Sequence, residues 1–196
     1  MDISQLALAL GASLSAGLNL YLTVFSLGLM QRLEWISLPD SMAMLANPWV
    51  MGTAAVLFLI EFAADKVPYI DNSWDAVHTF IRVPAGALLA ASAFGDVPQQ
   101  WLWIAALLGG FVSFTSHGAK ATTRLAVNAS PEPFSNWFLS FVEDALSLTL
   151  LWLASSHPYI AVSLAVLLLA LFASIIYFFY QFFRRLFRRR RPQPAT

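Results

Sequence analysis

Two stretches of this chain set ionisable side chains at one shared interval. Asp75, His78 and Arg82 fall at i, i+3 and i+7, and so do His117, Lys120 and Arg124. On a helix each trio occupies a single face. Glu61 and Asp65, one helical turn apart and followed by Lys66, precede the first trio; Glu143 and Asp144 follow the second, with Asn136, Ser140 and Ser147 at helical spacing around them. The chemistry open to such a set is electrostatic and acid–base. Arg82, Lys120 and Arg124 suit a phosphate or carboxylate, because a guanidinium grips such groups bidentately. His78 and His117 are candidate proton carriers, since histidine titrates near neutral pH; a structural histidine with both ring nitrogens satisfied is the plain alternative for each. Five acids (Glu61, Asp65, Asp75, Glu143 and Asp144) stand against four bases (Lys66, Arg82, Lys120 and Arg124), a near balance that predicts mutual pairing.

Other chemistry is poorly represented. No Walker loop, no Gly-x-Ser-x-Gly elbow and no dinucleotide fingerprint occurs, so neither a catalytic motif nor a cofactor motif is found. With no cysteine there is no disulfide, thiolate metal site or Cys nucleophile. No His-Glu-x-x-His pair is present, which leaves the metal signal weak. The chain reads as a non-enzyme more readily than as an enzyme.

The elements that must position these groups are hydrophobic. Hydrophobic residues make up 59% of the 196 positions and charged residues 11%, and mean hydropathy is +0.67. A soluble domain carries about 25% charged residues, so the expected partner is the lipid bilayer. A spanning helix needs about 20 apolar residues, and six segments approach this. They run over Ile3–Gln31, Ser41–Ile60, Trp74–Ala93, Trp101–Arg124, from Ser135 or Asn136 to Ser155, and over Pro158–Phe183. Turn signals fall at Val67–Ser73, Gly95–Pro98 and Asn128–Pro133. The expected fold is therefore all-α and polytopic, with one transmembrane domain over 1–183 and a basic tail over 184–196.

Six of the eleven basic residues lie in that tail (Arg184, Arg185, Arg188, Arg189, Arg190 and Arg191). By the positive-inside rule the tail is cytoplasmic, held against anionic headgroups, with no nucleic acid needed to explain it. Six crossings would put both termini on that side. A faint echo between Ser15–Asn19 and Ser116–Lys120, and between Asn47-Pro48-Trp49 and Asn136-Trp137, is compatible with a three-plus-three inverted repeat. Small residues recur in any packed membrane helix, which is the plainer account.

Ala16-Gly17-Leu18-Asn19-Leu20-Tyr21, Glu61–Pro68, Trp74–Thr79 with Arg82, His117-Gly118-Ala119-Lys120-Ala121 with Arg124, Asn128-Ala129-Ser130 and Glu143-Asp144 together carry a resemblance. They resemble domain-of-unknown-function family 4126, a family of uncharacterised bacterial membrane proteins. The resemblance covers nearly the whole chain and implies a polytopic protein of a bacterial inner membrane, with no activity attached. Asn19 stands where the family's Ala-Gly-Leu motif has a basic residue, so the first helix brings no cation there.

Ionisable groups at membrane depth are costly and mark function by default. The leading expectation is a small transport or channel-type protein whose cytoplasm-facing cavity takes an ion, or an anionic solute or headgroup. The lining would be Glu61, Asp65, Lys66, Asp75, His78, Arg82, His117, Lys120, Arg124, Asn136, Glu143 and Asp144. Two rivals stand beside it: a membrane enzyme acting on a lipid phosphate, and a scaffold whose charges only staple helices together.

Overall fold

A computed structural model describes residues 2–128 and 134–188. Among these the chain is helical and forms no strand: α1 (Ile3–Leu18), α2 (Leu20–Arg32), a 3-10 segment (Asp40–Ala46), α3 (Pro48–Ala64), α4 (Pro68–Ala93), α5 (Gln99–Val127), α6 (Phe134–Ser156) and α7 (Pro158–Arg188). The helices α4 to α7 are long and apolar enough to cross a bilayer, and the 3-10 segment with α3, bent by 63°, makes a fifth candidate. Large apolar side chains on their outer faces, such as Leu107, Phe111, Phe138 and Leu167, are exposed as lipid-facing residues would be. The protein is a multi-pass, all-α membrane protein.

The first apolar run departs from the single span expected over Ile3–Gln31. It breaks at Asn19, whose backbone is extended and whose side chain accepts from the N–H of Leu22 at 3.0 Å. Asparagine can replace the helical ladder with its own side-chain bond, and here it caps α2 while ending α1. After the break the chain doubles back. Gln5, near the start of α1, donates to the carbonyl of Phe94. Ser4, Gln5 and Leu8 line a cavity of about 280 Å³ together with Trp35–Pro39, Ala93 and Ser155. Both ends of the α1–α2 pair thus lie beside the same end of α4 and α6, with Asn19 as the tip. Four helices, or five with the bent pair, are long and apolar enough to cross, against the six expected, and the start of α1 lies beside the end of α4.

This geometry predicts a labelling pattern. Single cysteines at Ser4 and Ser37 should react with a membrane-impermeant thiol reagent from one side only, and from the same side. Reaction from opposite sides would restore the single first span.

α1 is the centre of the bundle and touches α4, α5, α6 and α7. Small residues let it in. A Cβ on Gly17 would collide with Ser116 and the Ser113 carbonyl of α5, and one on Gly86 would collide with Ser113. Ser13 also donates to the Gly86 carbonyl at 3.0 Å and Ser15 to that of Ser147 at 3.2 Å. Close approach with hydroxyl-to-carbonyl bonds is the ordinary way membrane helices associate.

Other boundaries shift for local reasons. The stretch read as a turn at Val67–Ser73 is helical from Pro68, because proline at the first helical position loses no hydrogen bond and has its φ pre-set. α7 runs on to Arg188, so the first residues assigned to the tail are helical. The loop from residue 129 to 133 and the tail from residue 189 lie outside the described residues. The internal echo does not extend to local structure: Gly17-Leu18-Asn19 sits at a helix break, whereas Gly118-Ala119-Lys120 lies within α5. Asn47 caps α3, while Asn136 lies inside α6 and bonds Arg124.

Candidate functional site

The two trios come together across α4 and α5. α4 and α5 pack along their length, and Arg82 Nη1 donates to His117 Nδ1 across them at 3.0 Å. Arg82 is fully buried; its other partners are Glu61 at 2.5 Å, Asp75 at 3.3 Å and the Gly17 carbonyl at 3.4 Å. One turn towards the α4 start, Arg124 is buried as completely. It bonds Glu143 through Nε and Nη2, at 3.1 and 2.7 Å, and reaches the Asp65 carboxylate at 3.4 Å and that of Asp71 at 3.7 Å. It also donates to Asn136 Oδ1 at 2.5 Å and to the Asn136 and Asp65 carbonyls. Asn136 Nδ2 in turn donates to the Asp65 carbonyl at 2.7 Å.

Lys120 lies between the two arginines. Its ammonium is 3.1 Å from the Leu18 carbonyl, 3.3 Å from Glu61, and 3.5 Å from both Asp65 and Glu143. The network therefore links α1, α3, α4, α5 and α6, and the α1–α2 tip belongs to it. Asn19 Nδ2 donates to Asp144 at 2.9 Å, while the carbonyls of Gly17 and Leu18 receive Arg82 and Lys120.

The histidines have definite tautomers. His78 is stacked on Trp74, with ring centroids 4.3 Å apart. Its Nδ1 lies 2.8 Å from the Trp74 carbonyl and so carries the hydrogen, leaving Nε2 to accept from the Tyr21 hydroxyl at 2.9 Å. In His117 the assignment is reversed. Nδ1 accepts from the guanidinium, so Nε2 carries the hydrogen towards Thr79 Oγ1 at 2.8 Å and the Asp75 carbonyl at 3.1 Å.

Lys66 stands at the margin: half-buried, its ammonium lies 3.3 Å above the Phe62 ring and 3.0 Å from the Phe62 carbonyl. Asp71 is the group that sequence reading missed, because it fell within the supposed turn. It is fully buried, faces Arg124 and accepts from Asn128 at 2.8 Å. Asp71, Asp75, His78 and Arg82 form one stripe at intervals of four, three and four, a signal visible once the helix is extended back to Pro68. Tyr21 and Asn19 were also missed as site residues.

Asp71 upsets the expected balance. The buried carboxylates are Glu61, Asp65, Asp71, Asp75 and Glu143, and the buried bases are Arg82, Lys120 and Arg124. Adding half-buried Asp144 and Lys66 leaves the same excess of acid. Glu61 Oε2, Asp65 Oδ1, Asp71 Oδ1 and Asp75 Oδ2 are buried and accept no hydrogen bond from the described residues. An unmet buried acceptor costs about 1–3 kcal/mol, more when charged. Among the described residues, no group of three His, Asp or Glu side chains is set to hold a metal ion.

No curated protein and no solved structure matches the chain. A family model does match, over residues 6–177, which takes in every side chain of the network. The chain is a membrane-spanning helical protein belonging to the family described as Domain of unknown function (DUF4126).

Proposed function

We propose that this protein moves cations or protons across a bacterial inner membrane, with the arginine-bearing end of α7 in the cytoplasm. The α1–α2 pair would then enter from the outer side, and its tip would close on the charged network as a gate. The observation that carries this reading is the excess of buried carboxylate gathered under that tip. Stability alone gives little reason to keep such a set, because burying ions costs more than apolar packing of similar volume. A helix break at membrane depth, where it meets protein rather than lipid, is the feature from which membrane transport sites are built.

The same balance argues against the anionic cargo that the sequence suggested. Arg82, Lys120 and Arg124 already face carboxylates, so an anion would have to displace them. It argues equally against a lipid-phosphate enzyme. His117, whose acceptor nitrogen is occupied by a guanidinium that does not deprotonate, acts as a fixed acceptor. His78 with Tyr21 remains the candidate proton carrier. Glu61, Asp65, Asp71, Asp75, Glu143 and Asp144 form the ion path, with Asn136 and Lys66 at its edge.

The full chain reconstituted in liposomes tests this. Imposed proton and monovalent-cation gradients should dissipate through the wild type, and Glu61→Gln and Asp144→Asn should each slow flux about tenfold, as loss of a group worth about 1.4 kcal/mol at the barrier does. A folded wild type that passes no cation and no proton would sink the proposal in favour of the scaffold.

A further inference from the structure

The surroundings of Lys120 are those of a cation site already filled from within the chain. Its ammonium sits among four oxygens brought by separate parts of the fold. These are the Leu18 carbonyl at 3.1 Å, Glu61 Oε1 at 3.3 Å, Asp65 Oδ2 at 3.5 Å and Glu143 Oε2 at 3.5 Å. Lysine, Glu61 and Asp65 are all buried. The carbonyl is the last of α1, where the helix dipole is negative and favours a cation. A second observation points to a ligand beyond the lysine. Glu61 Oε2 and Asp65 Oδ1, on the carboxylates that face the ammonium, accept nothing from the described residues. The cage oxygens that face the ammonium also accept from Arg82, Arg124 and Ser140, so the capacity left for a ligand is that of these two unmet oxygens.

We infer that Lys120 is a tethered counter-ion in a binding site for a free monovalent cation of ammonium type, formed by Glu61, Asp65, Glu143 and the Leu18 carbonyl. The contacts are those of an ammonium, so the cation that can replace it is monovalent and about as large; calcium and magnesium hold their oxygens at about 2.0–2.6 Å. The side chain of Lys120 is a flexible four-carbon stem carrying a compact charge. When it swings aside, a free cation takes its place at no change in local charge. Because one of the four oxygens is on the α1–α2 tip, exchange of the tethered cation for a free one is coupled to that tip. The inference rests on the transport reading for its physiological meaning, but the site is tested by binding alone, with no flux measurement.

The experiment removes the tether. Purified full-length Lys120→Ala is heated in detergent with potassium, sodium, methylammonium or choline chloride at equal ionic strength. Wild type should respond alike to all four salts. Lys120→Ala should melt lower in choline, and about 100 mM methylammonium or potassium should raise its midpoint by about 5 °C, as a ligand that binds only the folded state does. In Lys120→Ala combined with Glu61→Gln, one ligand oxygen loses its charge while charge balance is kept. The concentration giving half the rise should then increase about tenfold, equivalent to 1.4 kcal/mol. Should Lys120→Ala alone yield no folded protein, the double variant carries the test and must still respond to methylammonium above choline. Equal responses to methylammonium, sodium and choline, in whichever variant folds, would overturn the site. A positive binding result with no flux in liposomes would leave the site standing and remove only its transport role.

Discussion

Arg124→Met is expected to lower stability by about 3–5 kcal/mol, the cost of stranding the partners of a buried charge. The size follows from what the guanidinium holds. It is completely buried, and its loss leaves Glu143, Asp65 and Asp71 facing one another without the cation between them. It also unseats Asn136, whose side chain joins the start of α6 to the end of α3 through the Asp65 carbonyl. Denaturant titration of the detergent-solubilised protein measures the change. The informative companion is the pair Arg124→Met with Glu143→Leu. Removing both charges should recover part of the loss, with a coupling energy of about 0.5–3 kcal/mol, since apolar replacement of a buried pair is often neutral or better. If the network is only a staple, that double variant keeps whatever the protein does. On the transport reading it folds and passes no ions. An Arg124→Met protein as stable as wild type would mean that the ion pairs do not form.

The spacing of the two trios was enough to place them, because a 3.6-residue period fixes which side chains share a face regardless of what packs there. Each trio thus shares a face, and the packing of the helices then brings Arg82 to His117 and Arg124 to Glu143. Asp71 was lost because proline is ambiguous in sequence: Pro68 can break a chain or open a helix, and packing against the next helix decides. The hairpin was lost for a related reason. A run of 29 uncharged residues satisfies every length rule for a span. Asparagine can stay within a helix or cap a new one; here Asn19 caps α2 at Leu22, and its amide also reaches Asp144 on α6 at 2.9 Å. A length rule weighs neither bond, yet the break alters the topology and the identity of the site. The charge excess follows the same logic, since it appears only when Asp71 is counted inside.

Pinning the α1–α2 pair should stop transport more completely than any single charge change. The pair is held to the bundle by polar contacts at its tip and by close packing along α1. Ser15 donates to the Ser147 carbonyl of α6 at 3.2 Å, one turn from the tip and outside the charged network. The contact places the two residues on facing helices, where a disulfide forms if their Cβ atoms can come within about 3.5–4.5 Å. The chain has no cysteine of its own, so a Ser15→Cys, Ser147→Cys pair can be oxidised without competing thiols. Ready cross-linking checks the packing of α1 on α6. With the bridge formed, the tip cannot leave Arg82, Lys120 and Asp144, and cation or proton flux in liposomes should fall by more than about tenfold, the effect of adding over 1.4 kcal/mol to the barrier. Reduction should restore it, and each single cysteine should behave as wild type. Because the cross-link changes no charge, its effect cannot come from altered electrostatics. Flux that continues unchanged through the bridged protein would show that ions cross without movement of the hairpin, and the gate would have to lie elsewhere in the network.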